Sequence, residues 1–176
     1  LKMVSGTLQK TILGLRTMAY DMRPPGLEKL GLVETIYQFC EDFAQRWGVP
    51  IDFQAAGLKG LQLDQGTQIN LYRLVQEGLT NIRKHAAAER ATLKLTAAFP
   101  NIILRVEDNG RGFDVHARAA AAVQEKRMGL RSMQERVTLL NGKMKLQSKP
   151  GQGTKVFIKL PFAEKKRGAK ENHLNR

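Results

Sequence analysis

Two short stretches near the C-terminal end most constrain the fold of this 176-residue chain. In residues 143–148 and 154–160, Met144, Leu146, Val156, Ile158 and Leu160 alternate with Lys143, Lys145, Lys155 and Lys159. Successive strand residues point to opposite faces, so the alternation predicts two strands with one apolar and one solvated face. Pro150-Gly151-Gln152-Gly153 supplies the turn between them, and the pair reads as an antiparallel hairpin. A sheet with one apolar face must be covered, and the rest of the chain offers helices to cover it.

Residues 90–98 and 101–107 read as two further strands joined at Pro100-Asn101, and residues 50–55 as a short one. A helix is expected over roughly 28–47, with Leu32, Ile36, Phe39, Cys40, Phe43 and Trp47 on its apolar face and Gly48 and Pro50 ending it. Asp64 is a fitting N-cap for a long helix over about 65–86. Another helix is expected over 129–140, with Leu130, Met133, Val137 and Leu140 on one stripe and Asn141-Gly142 as its C-cap. Residues 1–22 carry a heptad-spaced seam of Leu1, Leu8, Ile12, Leu15, Ala19 and Met22, which calls for a partner helix. Residues 114–127 lack an amphipathic period and read as mobile, and the polar tail from Ala163 reads as disordered. The fold class is therefore α+β: a two-layer sandwich whose mixed, mostly antiparallel sheet is covered by helices on one face and preceded by one long helix.

The formal net charge is +13, from 29 basic and 16 acidic side chains. Its distribution matters more than its size. Residues 111–162 hold 11 basic and 3 acidic side chains, whereas residues 1–110 are nearly balanced. Such an excess suits a nucleic acid, a phosphorylated ligand or plain solvation. No run approaches about 18 consecutive apolar residues, so no membrane-spanning helix is expected. There is no secretory signal pattern. The single cysteine excludes an internal disulfide framework and a cysteine-based zinc cluster, and three scattered histidines offer no metal-ligand spacing. The chain opens at Leu1-Lys2 and reads as a piece of something longer.

Three places carry candidate chemistry. On a helical wheel of residues 65–86, Ile69, Tyr72, Val75, Leu79, Ile82 and Ala86 share one side. Glu77, Asn81 and Lys84 fall opposite within about 60°, with His85 beside them. A carboxylate, a carboxamide and an ammonium on one stripe suit a divalent cation and a phosphate, although a solvated helix face is the plainer explanation. At the end of a strand, Asp108 is followed by Gly110 and Gly112, which permit a close backbone approach to a ligand. Gly129 opens a helix whose free N–H groups could receive an anion, with Arg127 and Arg131 on either side. Neither a Walker A run nor a dinucleotide fingerprint is present.

Singly these are weak; their order is specific. EGLTNIRKHA (77–86), DNGRGF (108–113), MGLRSMQERVTLLNG (128–142) and GQGT (151–154) resemble the four successive boxes of the GHKL, or Bergerat, ATP-binding fold. Sensor histidine kinases, gyrase-type ATPases, Hsp90 and MutL share that fold. DMRPPGLEKLGLVETI (21–36) resembles the region after the dimerisation hairpin in nitrate-sensor and DesK-like histidine kinases, with Met22 where leucine is usual.

The resemblance implies ATP and Mg2+ as ligands. Asn81 would hold the metal bridging the phosphates, and Glu77 would be the catalytic acid orienting the metal or the proton acceptor. Lys84, His85 and Arg127 would lie near the phosphates, with Gly129 and Leu130 closing on them. Asp108 would bind the adenine amino group in a pocket shaped by Gly110 and Gly112, with Thr154 beside the base. Residues 1–25 would be the second helix of the dimerisation hairpin, 26–162 the catalytic domain, 114–128 its lid and 163–176 the basic tail. Ser132 stands where glycine is common in the family and Met128 where glycine or histidine is frequent, which touches the packing of the lid.

These kinases phosphorylate a histidine followed by an acid. Here His85 precedes Ala86, His116 precedes Ala117 and His173 precedes Leu174, so no histidine fits. The chain is thus expected to bind ATP without phosphorylating itself. The resemblance further implies a homodimer through the hairpin, a response regulator with a helix-turn-helix output domain, and a cytoplasmic place in a bacterium. Any membrane attachment would be through upstream segments. A GHKL ATPase or anti-sigma-type serine kinase is the alternative, which the Arg-Pro-Pro segment disfavours. A nucleic-acid module is disfavoured because aromatics are only 6% and lie mostly on apolar stripes.

Overall fold

The computed structural model describes residues 25–115 and 128–162. The seam helix over 1–22, most of the lid and the tail after Phe162 lie outside the described residues. Pro25 opens a five-residue helix, α1 (Pro25–Lys29). Proline suits a first helical position, where its missing N–H costs nothing. The chain breaks at Leu30 and resumes as α2 (Gly31–Trp47). The sequence predicts a single helix over roughly 28–47, which runs through this break and leaves out the first residues of α1. Gly31, at φ +79°, interrupts the helical path between α1 and α2. Gly48 ends α2 in the left-handed region, its N–H donating to the Ala44 carbonyl. Trp47, expected on the buried face, is 46% exposed, and the Arg83 guanidinium lies 4.4 Å over its ring.

Strand β1 (Ile51–Ala56) follows, then α3 (Gln65–Asn81). Asp64 caps α3 as expected: its carboxylate accepts from the Thr67 N–H at 2.9 Å and from the Thr67 hydroxyl. Those two donors hold the Asp64 carboxyl below its ordinary value. The stabilisation is therefore complete above the unfolded value near 3.8 and is lost as pH falls through the lower folded value. Asp64→Ala should cost about 1 kcal/mol at pH 7. Denaturant unfolding of the two proteins should show that difference shrinking in acid.

Beyond Asn81 the helix widens into a π-helical turn, Ile82–Ala86. It was expected to run on as one α-helix to residue 86. Strands β2 (Ala91–Ala98) and β3 (Asn101–Asp108) then form a hairpin. Helix α4 (Met128–Leu139) leads into β4 (Lys143–Ser148) and β5 (Thr154–Pro161). Asn141, at φ +53°, takes the left-handed position after α4, and the Gly142 N–H reaches back to the Val137 carbonyl.

The sheet order is β1-β2-β3-β5-β4. β1 runs parallel to β2 and every other pair is antiparallel. Leu93, Leu95, Ile102, Leu104, Val106, Ile158 and Leu160 point to one face and are buried. Ile36 and Cys40 of α2, Leu71, Leu74 and Leu79 of α3, and Met133 and Val137 of α4 pack onto them. The buried arc of α3 is wider than the wheel implied, because Leu71 and Leu74 are fully buried as well. Lys143, Lys145, Lys155 and Lys159 lie exposed on the opposite face, as their alternation required. There Glu107 pairs with Arg105 at 2.8 Å and with Lys155 at 3.4 Å.

Candidate functional site

Gly78 brings α3 close to the sheet: a Cβ there would lie 3.2 Å from Val106. The face of α3 that carries Glu77 and Asn81, one turn apart, meets the first turn of α4. A Cβ on Gly129 would strike Glu77 Oε1 and lie 3.1 Å from Asn81 Oδ1. Glycine lets the α4 backbone approach that pair without displacing the Glu77 carboxylate. Asn81 Nδ2 donates to the Met133 sulfur at 3.8 Å, which turns the amide nitrogen away and leaves Oδ1 directed at Gly129. Two oxygen acceptors, one anionic and one neutral, thus converge on the start of a helix.

This donor set fits a magnesium ion that shares its shell with a ligand's phosphates. Mg2+ takes oxygen ligands and usually keeps few of them from protein. Among the described residues no group of three or more His, Cys, Asp or Glu side chains converges, so the remaining ligands would have to come from phosphate and water.

The second part of the site is where β3 ends and β5 begins. Asp108 and Thr154 are register partners there. Asp108 is half-buried, and burial raises its carboxyl above the ordinary value. The backbone N–H groups of Gly110 and Thr154 pull it partly back down, the first at 2.9 Å. A partly desolvated carboxylate with lone pairs to spare is a strong acceptor for a ligand's N–H.

The loop after Asp108 interlocks with two neighbours. Gly110 lies so close to the Ala86 carbonyl that a Cβ would strike it. Arg111 donates from its backbone N–H to Ala86 at 2.7 Å and from Nε to the His85 carbonyl at 2.6 Å. These bonds occupy carbonyls that a helix end otherwise leaves without partners, and they account for the π turn stopping at residue 86. Gly112, at φ +56°, faces the carbonyls of Lys149 and Gly153, and Gly153, at φ +69°, faces that of Asp108. Neither position has room for a side chain.

The predicted residues therefore gather in two clusters: Glu77, Asn81 and Gly129, and Asp108, Gly110, Gly112 and Thr154. Lys84 and His85 sit exposed on the π turn. That wider turn takes Lys84 off the straight wheel that aligned it with Glu77 and Asn81. Leu130 is half-buried and packs against the core. Arg127 lies outside the described residues.

Sequence reasoning missed Ser148, Asn109 and the second duty of Met133. Ser148 accepts from the Phe113 N–H at 2.9 Å and donates to the Gly153 carbonyl at 2.8 Å. Asn109 Oδ1 accepts from the backbone N–H groups of Glu89 and Arg90 at 3.1 and 3.0 Å. A signal for Ser148 was present: it continues the inward series of Met144 and Leu146, where an apolar residue is due. Asn109 reads as an ordinary turn residue, and nothing separates it from one in the sequence.

Residues 66–164 match the family model for histidine kinase-, DNA gyrase B- and HSP90-like ATPases. The chain is 35% identical over 161 residues to the signal transduction histidine-protein kinase/phosphatase DegS of Brevibacillus brevis, a match covering 92% of the chain and 39% of that protein. It is 37% identical over 143 residues to DegS of Bacillus subtilis, covering 80% of the chain and 37% of that protein. The sensor histidine kinase LiaS of Bacillus subtilis is 29% identical over 157 residues, covering 89% of the chain and 41% of that protein. The chain thus spans about two fifths of the length of these relatives. Among solved structures, the histidine kinase domain of a blue-light-activated histidine kinase from Erythrobacter litoralis superposes with a TM-score of 0.59 at 23% identity, over 74% of this chain and 61% of that one. Full-length ShkA in complex with AMPPNP superposes with a TM-score of 0.61 at 21% identity, over 76% of this chain and 30% of that one. These likenesses establish the same fold.

Proposed function

Because the chain belongs to the family of histidine kinase-, DNA gyrase B- and HSP90-like ATPases, we propose that it binds ATP with Mg2+ and serves as the catalytic domain of a sensor histidine kinase. The observation that carries this reading is the pairing of two clusters of opposite chemistry. A desolvated acceptor, Asp108, stands beside a glycine-lined turn. A carboxylate–carboxamide pair meets the backbone of a helix start.

In this reading Asp108 accepts from the amino group of the base, and Gly110 and Gly112 let the backbone close on the ring. Asn81 Oδ1 holds the metal at the triphosphate, and Glu77 orients it or accepts a proton. Backbone N–H groups at the start of α4 receive phosphate oxygens. Bound Mg2+ supplies charge neutralisation for the transferring phosphoryl group, whose charge spreads over its oxygens. Lys84, exposed on the π turn, and Arg127 add positive charge near the triphosphate, with His85 beside Lys84, and residues 114–128 act as the lid.

The γ-phosphoryl acceptor is a histidine on a dimerisation hairpin of the longer protein, to which residues 1–25 contribute the second helix. The phosphate then passes to an aspartate of a response regulator. DegS is named a signal transduction histidine-protein kinase/phosphatase and LiaS a sensor histidine kinase, which supports this reading. Among the described residues no helix is long and apolar enough to cross a membrane.

Calorimetric titration tests the reading. ATP should bind the parent chain at least about tenfold more weakly without magnesium, a difference of about 1.4 kcal/mol. In Asn81→Ala the magnesium effect should largely vanish. An equal magnesium effect in both proteins would overturn the assignment of Asn81. With labelled ATP, the chain alone should acquire no phosphate, and an acid-stable phosphoserine would point to a serine kinase.

A further inference from the structure

Ser148 occupies the last position of β4, half-buried, with three polar neighbours. Its Oγ lies 2.9 Å from the Phe113 nitrogen, 2.8 Å from the Gly153 oxygen and 3.1 Å from Thr154 Oγ1. Counting protons settles the direction of all three contacts. A serine hydroxyl has one proton to give and two lone pairs to receive with. The Gly153 carbonyl can only accept, so it takes the Ser148 proton. The Phe113 N–H can only donate, so it fills one lone pair. For the third contact Ser148 has no proton left, and Thr154 must be the donor.

That assignment fixes the polarity of Thr154. Its only hydroxyl proton is turned towards Ser148, so towards a ligand it presents lone pairs alone. Its register partner Asp108 is a carboxylate and also presents lone pairs. We infer that Ser148 is a specificity-determining positioning residue: by holding the Thr154 hydroxyl as an acceptor, it makes the pocket select a purine 6-substituent that donates hydrogen bonds and reject one that accepts. The inference rests on the reading of Asp108 and Thr154 as base-binding residues and adds the cause of their selectivity.

The discrimination this produces lies at one substituent. A 6-amino purine can donate one N–H to Asp108 and the other to Thr154. A 6-oxo purine in the same pose brings O6 to these two acceptors, and its one edge donor, the N1–H that replaces the acceptor N1 of the 6-amino base, can serve at most one of them. Sites built to hydrogen-bond one group reject analogues that cannot make the bond, because their own buried polar atoms are then left unpaired. With Ser148 removed, the Thr154 hydroxyl is free to rotate and donate, and a 6-oxo group becomes acceptable on that side.

Titration of the chain with Mg-ATP and with the magnesium complex of inosine triphosphate tests this. The parent should prefer ATP by at least about tenfold. In Ser148→Ala the affinity for inosine triphosphate should rise relative to that for ATP, narrowing the ratio several-fold. Ser148→Thr, which keeps the hydroxyl on a side chain suited to a strand, should restore it. Thr154→Val should narrow the ratio likewise, and adding Ser148→Ala to it should narrow it no further. Equal loss for both nucleotides in Ser148→Ala would reduce Ser148 to a structural support and overturn the inference. An unchanged ratio in Thr154→Val would overturn it even if Ser148→Ala failed to fold. A parent chain that binds neither nucleotide would remove the reading on which the inference stands, and the inference with it.

Discussion

Asp108→Asn should yield a domain that no longer holds ATP and yet is no less stable when empty. The loss of binding should exceed about a hundredfold, or roughly 2.7 kcal/mol, because a charged acceptor aimed at an amino group becomes a neutral amide whose nitrogen repels it. The stability half follows from the cause of the shift. Burial raises the Asp108 carboxyl above its ordinary value, and the two backbone N–H groups only partly offset this. A carboxyl whose folded value is raised binds protons more readily in the native state, so its ionisation opposes folding. That opposition is absent below the unfolded value of 3.8 and complete above the folded one. Asparagine keeps an oxygen for Gly110 and has no charge to bury. Thermal melts of the two empty proteins should therefore place the variant at or above the parent at pH 7, with the gap closing in acid. A variant that melts lower at pH 7 and binds ATP normally would contradict both halves.

Gly153→Ala should lose several kcal/mol of stability, about 3 or more, and nucleotide binding with it. Gly153 has φ +69°, and a Cβ there would strike the Asp108 carbonyl. An alanine at positive φ is strained even in open space. Here the obstacle is backbone, which cannot swing aside as a side chain would. The displaced atoms belong to the residue that carries the site's acceptor, so binding and folding should fail together. Gly151 is a useful control. Its φ is +76°, but nothing lies within 4 Å of its Cβ position. Gly151→Ala should cost only the backbone strain, about 1 kcal/mol, and bind nucleotide nearly as well. Denaturant unfolding of the two variants separates strain from collision.

The clearest elements were those in which one periodicity spoke alone. β4 and β5 were legible because four lysines and five aliphatic residues take alternate positions along them, and the outer face of the sheet is where the lysines lie. The Asp64 cap was legible because capping is local chemistry. What escaped was set by contacts between distant segments. The π turn after Asn81 is held by Arg111, 25 or more residues further on, and no window on α3 contains that information. Leu71 and Leu74 escaped because α3 is covered on a broader arc than a single stripe describes. The order of the glycine-bearing boxes was visible in the sequence, but not why each glycine is needed. Gly110, Gly112, Gly129 and Gly153 each meet an oxygen atom that only folding brings there.

The order of the strands also has a consequence in time. Asp108 and Thr154 stand at the ends of β3 and β5, and each of these strands is hydrogen-bonded to a neighbour on both sides. Gly129 stands in the opening turn of a twelve-residue helix, where backbone amides have no partner above them. Amides in doubly paired strands exchange with solvent only when much of the fold opens, while those of a helix start exchange through local fraying. On the proposed reading, the half of the pocket that would choose the base is therefore slow, and the half that would meet the phosphates is fast. Fraying at the start of α4 would then free the phosphate end of the pocket while β3 and β5 stay paired.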